Sequence, residues 1–163
     1  METIITAATI MAMYLNSASN VNSPYCYNAD IENGQVKTMY VYNVDGNSLS
    51  ARLEYQYIYD DFGRLTSKTA LKTDSFTGKK SPSYRLEYCY MADGYSVEHC
   101  KWNEKTESFD QANSRTEYRH VMDNVISVMN FEWDETKKDM LLVDNMLVMS
   151  SDNILMATNE TFK

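Results

Sequence analysis

The stretch Arg52-Leu53-Glu54-Tyr55-Gln56-Tyr57-Ile58-Tyr59-Asp60-Asp61-Phe62-Gly63-Arg64-Leu65 decides the fold class. Its side chains alternate with period two. Leu53, Tyr55, Tyr57 and Tyr59 fall on one face of a strand, and Arg52, Glu54, Gln56 and Ile58 on the other. On a helix, at about 100° per residue, the tyrosines would scatter around the cylinder. The Asp-rich, Gly-containing cluster that follows is a turn signal, because such residues tolerate tight backbone conformations. Residues 64–72 then form a second β-prone run.

The same unit recurs. Arg85-Leu86-Glu87-Tyr88-Cys89-Tyr90 repeats it 33 residues on, and Arg115-Thr116-Glu117-Tyr118-Arg119-His120 repeats it more weakly 30 residues later. In the second copy Leu86, Tyr88 and Tyr90 oppose Arg85, Glu87 and Cys89. Lys37-Thr38-Met39-Tyr40-Val41-Tyr42 opens the series as a half-copy. Turn signals stand at Asp45-Gly46-Asn47, Asp93-Gly94 and Asp123-Asn124, with β-prone runs over 95–103 and 125–134. Polar stretches over 73–83 and 104–114 close the copies. Proline occurs only at 24 and 82, which leaves ladder donors intact through the expected strands. Toward the C-terminus, 140–143, a turn at Asp144-Asn145, 146–149 and 154–156 continue the pattern, with Met filling irregular gaps. The expectation is an all-β fold: an antiparallel β-meander of repeated hairpins, twisted into a curved sheet or open barrel.

The chain has 163 residues and a net charge of −8, from 23 acidic and 15 basic residues. That balance weighs against a nucleic-acid partner, which needs a surplus of Lys and Arg. Residues 4–15 carry no charge and end in the small-residue run Ser17-Ala18-Ser19. This is about half the ~20 residues of a membrane span, and it reads as a signal peptide over 1–19. A single all-β domain over 20–163 would follow, secreted or held in the periplasm or cell envelope. Glu2 departs from the usual basic start, and the alternative is a helix or strand packed on the domain. Cys26 lies too far beyond the apolar run for lipid attachment, and no other segment approaches membrane-spanning length.

Residues 57–66, Tyr-Ile-Tyr-Asp-Asp-Phe-Gly-Arg-Leu-Thr, resemble the YD repeat of Rhs-type secreted β-proteins, in which the motif is structural. With its signal-like start, acidic charge and Tyr-rich hairpins, the whole chain resembles a family of short exported proteins of Bacteroides-type bacteria, a domain of unknown function. That resemblance implies an envelope or secreted location and transfers no activity.

Tyr55, Tyr57, Tyr59, Tyr88 and Tyr90 are the candidate ligand-binding residues. Aromatic faces bury large areas with little entropy loss and carry hydroxyls for hydrogen bonds. The competing role for the same ladder is cross-strand packing, worth roughly 0.2–1 kcal/mol per pair. The Arg and Glu rows on the other face read as a solvated, salt-bridged surface. Cys26, Cys89 and Cys100 are odd in number, and no pairing among them follows from spacing. A nucleophile–base pair could be sought in Cys100 with His99 or in Cys89 with His120, but His99 serves Cys100 poorly, since adjacent strand residues point to opposite faces. Asp60-Asp61 and residues 30–33 lack the calcium-loop pattern, and no zinc spacing occurs. Neither a catalytic residue, a metal nor a cofactor is assigned. The reading is an exported, non-catalytic module that binds a glycan or protein at the envelope. The alternatives are a polysaccharide hydrolase and a self-assembling structural protein.

Overall fold

A computed structural model describes residues 4–151 and 154–159. One helix, α1 (Ala7–Ala18), precedes eleven strands. These are β1 (Tyr25–Glu32), β2 (Gln35–Asp45), β3 (Ser48–Tyr59), β4 (Leu65–Thr73), β5 (Lys80–Met91), β6 (Gly94–Asn103), β7 (Ser108–Phe109), β8 (Ser114–Met122), β9 (Val125–Asp134), β10 (Asp139–Ser151) and β11 (Ile154–Asn159). The fold is an all-β antiparallel meander, as the repeat predicts. Two compact units divide the chain, one over Ile5–Arg85 and one from Leu86 onward. In the first, β1 to β5 follow one another in chain order. In the second, β5, β6, β8, β9, β10 and β11 do the same, and β7 pairs with β6.

Turn chemistry repeats along with the strands. Asn33 and Gly34 both take positive φ, 50° and 74°, the tight-hairpin geometry that joins β1 to β2. In the YD-like segment the Asp60 carboxylate accepts from the backbone N–H of Phe62 and Arg64, at 3.0 and 2.9 Å, and from Arg64 Nε at 2.7 Å. Asp60 and Arg64 are therefore the staple of that hairpin. The wider loops share a second design. Asp74, Asn103 and Asp134 each accept two backbone N–H groups from the residues two and three places on. A residue of positive φ follows each, Gly78, Glu107 and Lys138. These Asx caps recur at about the spacing of the sequence repeat.

α1 begins with a reciprocal cap between Thr6 and Thr9. Ala7, Ile10, Met11, Tyr14 and Ser17 are its shielded positions, the i, i+3, i+4, i+7 stripe of an amphipathic helix. The helix packs on β1 and β2. Along β1, Tyr25, Tyr27 and Ala29 are half-buried while Cys26, Asn28 and Asp30 are exposed, so the helix covers the odd-numbered face. On β2 the buried Met39 and Val41 lie opposite Ala29 and Tyr27 on that same face. Tyr57, Leu65 and Ala70 extend the core across β3 and β4.

Four local expectations are corrected. Arg52 does not share a face with Glu54. The β2–β3 ladder slips between Val41 and Tyr42, which pair with Leu53 and Ala51, so Arg52 is an extra, bulged residue. Its guanidinium reaches Tyr25 Oη at 3.0 Å and Asn43 Oδ1 at 3.3 Å, on the tyrosine face. Glu54 is not solvated but only 6% exposed. Asp144-Asn145 is no turn, because β10 runs through it with a bulge at Val143 and Asn145 accepts from Ser127 on β9 at 3.0 Å. Pro82 lies inside β5, near its start, because the preceding loop closes within residues 74–79.

Candidate functional site

The tyrosine face of the first unit carries a groove of about 410 Å³. Arg52, Leu53 and Tyr55 of β3, Ala70, Lys72 and Thr73 of β4, and Ser83 and Tyr84 of β5 line it. Register explains the grouping: Leu53 pairs with Lys72 and Tyr55 with Ala70, and the small Ala70 side chain leaves the hollow between larger neighbours. The bulge adds Arg52 to the same side. Tyr55 is held by two partners. Burial and a hydrogen bond with Tyr84 push its phenol above the usual range, and Lys68 Nζ sits 4.1 Å from its ring centroid. Burial also pulls the Lys68 ammonium below the ordinary lysine range.

Arg52, Lys68 and Lys72 lie on the tyrosine face, and among the described residues none of the three has a carboxylate partner. Two acids of this sheet, Asp30 and Glu54, lie on the other side. There Glu54 accepts from Lys80 Nζ and from Gln56 Nε2, and Tyr40 donates to Asp30 at 2.7 Å. The Asp30 contact, with burial, raises the Tyr40 phenol to about 12.

The five candidate tyrosines have different fates. Tyr55 lines the groove. Tyr57 is 5% exposed. Tyr59 is half-buried and donates to the Val36 carbonyl at 2.8 Å, and burial raises its phenol to about 12. Tyr88 and Tyr90 are half-buried in the second unit, where both lie close to Tyr95. That unit has its own stack: Tyr95 and Tyr118 are 4.7 Å apart with an interplanar angle of 14°, and Tyr90 is 6.0 Å from Tyr95. Sequence reasoning missed Tyr84 and Arg52 as groove residues and Tyr95 as the centre of the stack. The signal for Tyr95 was its place directly after Asp93-Gly94, which sets it opposite the next copy's Tyr118.

Other chemistry is accounted for. A shallower hollow of about 610 Å³ lies at the turns beside Asp93, His120 and Asp123, where Arg119 holds Asp93 at 2.9 Å. His99 Nδ1 lies 2.8 Å from Asn113 Oδ1. Cys26 and Cys89 are exposed, Cys100 is buried, and all three are free thiols. No cluster of metal-ligating side chains is found among the described residues. Nor is any helix among them long and apolar enough to cross a membrane.

Comparison with known proteins places the chain. The model of a family of unknown function, DUF3836, matches residues 1–120. The chain belongs to the DUF3836 family. No curated protein matches it. A Bacteroides fragilis protein of unknown function shares the fold, with a TM-score of 0.67 at 18% identity over 83% of this chain and 98% of that one. DUF3836 proteins from Bacteroides vulgatus and Parabacteroides distasonis are also similar. The first gives 0.42 at 16% identity over 84% and 100% of the two chains, and the second 0.39 at 22% over 77% and 89%.

Proposed function

We propose that this chain is an exported, non-catalytic module that holds a glycan in the groove between Tyr55 and Tyr84. The groove itself carries this reading. It joins two hydrogen-bonded phenols with apolar floor from Leu53 and Ala70 and polar rim from Arg52, Thr73 and Ser83. Sugar rings present apolar faces edged by hydroxyls, which such a mixed surface complements. The lining supplies no carboxyl group, so the paired acids of glycoside hydrolysis are absent from this groove. The uncharged run before Ser17-Ala18-Ser19 supports export.

A glycan array probed with the full chain tests the binding. Retained oligosaccharide signal that disappears in Tyr84→Ala, but not in an exposed-site control such as Phe76→Ala, supports it. Silence across the array at millimolar ligand overturns it. Export is tested separately by sequencing the N-terminus of the protein from envelope and medium fractions of a Bacteroides host, where a start near Asn20 is expected.

A further inference from the structure

We infer that the groove selects an acidic glycan, one bearing carboxylate or sulfate groups, over its neutral counterpart. The inference rests on the glycan reading above and goes further, naming the ligand's charge. Its basis is where the cations stand. A chain of net charge −8 has brought Arg52, Lys68 and Lys72 to one side of a sheet, each without a carboxylate partner among the described residues, while Asp30 and Glu54 are on the reverse.

Three other guanidinium groups are matched by carboxylates: Arg64 by Asp60, Arg115 by Glu98 and Glu117, and Arg119 by Asp93 and Glu117. Arg52 differs. Its partners are a phenol and an amide, which hold its plane without neutralising it. Its ring contact with Tyr25, at 4.8 Å, fixes the orientation further. A guanidinium so positioned retains the paired donors that suit a carboxylate or sulfate. Lys68 adds a partly buried ammonium that sits over the Tyr55 ring. A cation withdrawn from water without a counter-ion is costly, and an incoming anion relieves that cost. Lys72, exposed on the rim and in register with Leu53, completes a positive margin to the groove.

The test is calorimetric titration of the full chain with three oligosaccharides of equal length: neutral, uronate-bearing and sulfated. One or both acidic ligands are expected to bind roughly tenfold or more tightly than the neutral one at low salt. The preference should shrink as salt rises from about 0.05 to 0.5 M. Lys72→Ala and Arg52→Gln should each reduce acidic binding severalfold and neutral binding less, so that the acidic-over-neutral ratio falls. Lys72 is exposed and lies outside the bulge, which keeps the test valid if Arg52→Gln disturbs it. The two acidic arms separate carboxylate from sulfate. Equal binding of neutral and acidic ligands, indifferent to salt and to both variants, overturns this inference and leaves the glycan reading standing. No binding to any of the three overturns both.

Discussion

Tyr95 and Tyr118 stand directly opposite each other on β6 and β8, with rings stacked 4.7 Å apart. Tyr95 is only 6% exposed, so this pair anchors the second unit's core. Truncating it should be expensive: Tyr95→Ala is expected to cost about 3 kcal/mol in urea denaturation. A double-mutant cycle with Tyr118→Ala should return a coupling of about 0.5–1.5 kcal/mol. A coupling indistinguishable from zero would show that the stack is geometric coincidence.

Gly94 makes the same junction sterically possible. A Cβ there would lie 1.8 Å from the Tyr118 carbonyl oxygen and 3.1 Å from Arg119 Cα, both immovable backbone. Gly94→Ala is expected to destabilise by about 3 kcal/mol and to loosen β6 from β8. Hydrogen exchange at the amides of residues 95–99 reads this directly. Protection equal to that of the unaltered protein would refute the steric account.

On the reverse face of the first unit, the Glu54 carboxylate is buried beneath Lys80 and Gln56. Removing the cation alone strands the acid, whereas removing both charges does not. Lys80→Met should therefore cost about 2 kcal/mol, a discounted figure because the lysine is half-exposed. The double variant Glu54→Gln with Lys80→Met should recover most of that loss. Chemical denaturation of the three proteins decides it.

The pH profile follows from two groups of residues. Tyr40, Tyr59 and Tyr95 have phenols raised to about 12, Tyr40 chiefly by its bond to Asp30 and the others by burial. Their folded values exceed the unfolded value of about 10, so their contribution is whole below about pH 10 and disappears as pH climbs toward 12. Asp74 and Asp134 are held below the ordinary carboxylate range, Asp74 first by the Thr77 backbone N–H and Asp134 first by the Thr136 hydroxyl. Their contribution is whole above the unfolded value of about 3.9 and is lost as pH falls through the lower folded values. Tyrosinate absorbance should show a subset of the 13 tyrosines ionising late. Thermal melts should be flat between those limits, and Asp74→Ala should blunt the acid limb.

Beginning the chain at Asn20 removes α1 and the isolated bridge between Thr6 and Arg64, and no strand ladder. The β-type circular dichroism spectrum should survive. Met39, Val41 and the odd positions of β1 lose their cover, so binding of an apolar dye should rise. Loss of the β spectrum would mean that the helix is integral to the sheet.

Much of this architecture is visible in the amino-acid order because strands impose a period of two and tight hairpins demand Asp, Asn and Gly. The copies beginning at Arg52, Arg85 and Arg115 announce themselves in that way. What escapes is set by ladders between distant residues. Nothing local marks Arg52 as supernumerary; its facing depends on how β2 counts against β3. Asp144-Asn145 looks like a turn until Ser127 and the continuous β9 partner are supplied. The strand β1 was overlooked although Tyr25, Tyr27 and Ala29 alternate with polar neighbours, since it lies outside the repeat. Of the groove, Tyr55 was legible from the ladder. Tyr84 was not, because only the pairing of separate hairpins brings it to Tyr55.

The bulge at Arg52 means that parity in this chain is a local property. Along β3, the residues before it and those after it obey opposite conventions for which numbers take the tyrosine face. Deleting Ala51 would restore a regular count and, by setting Arg52 opposite Tyr42, swing the arginine to the side that holds Glu54. Relatives should therefore be aligned on that extra residue before any side chain is compared between them.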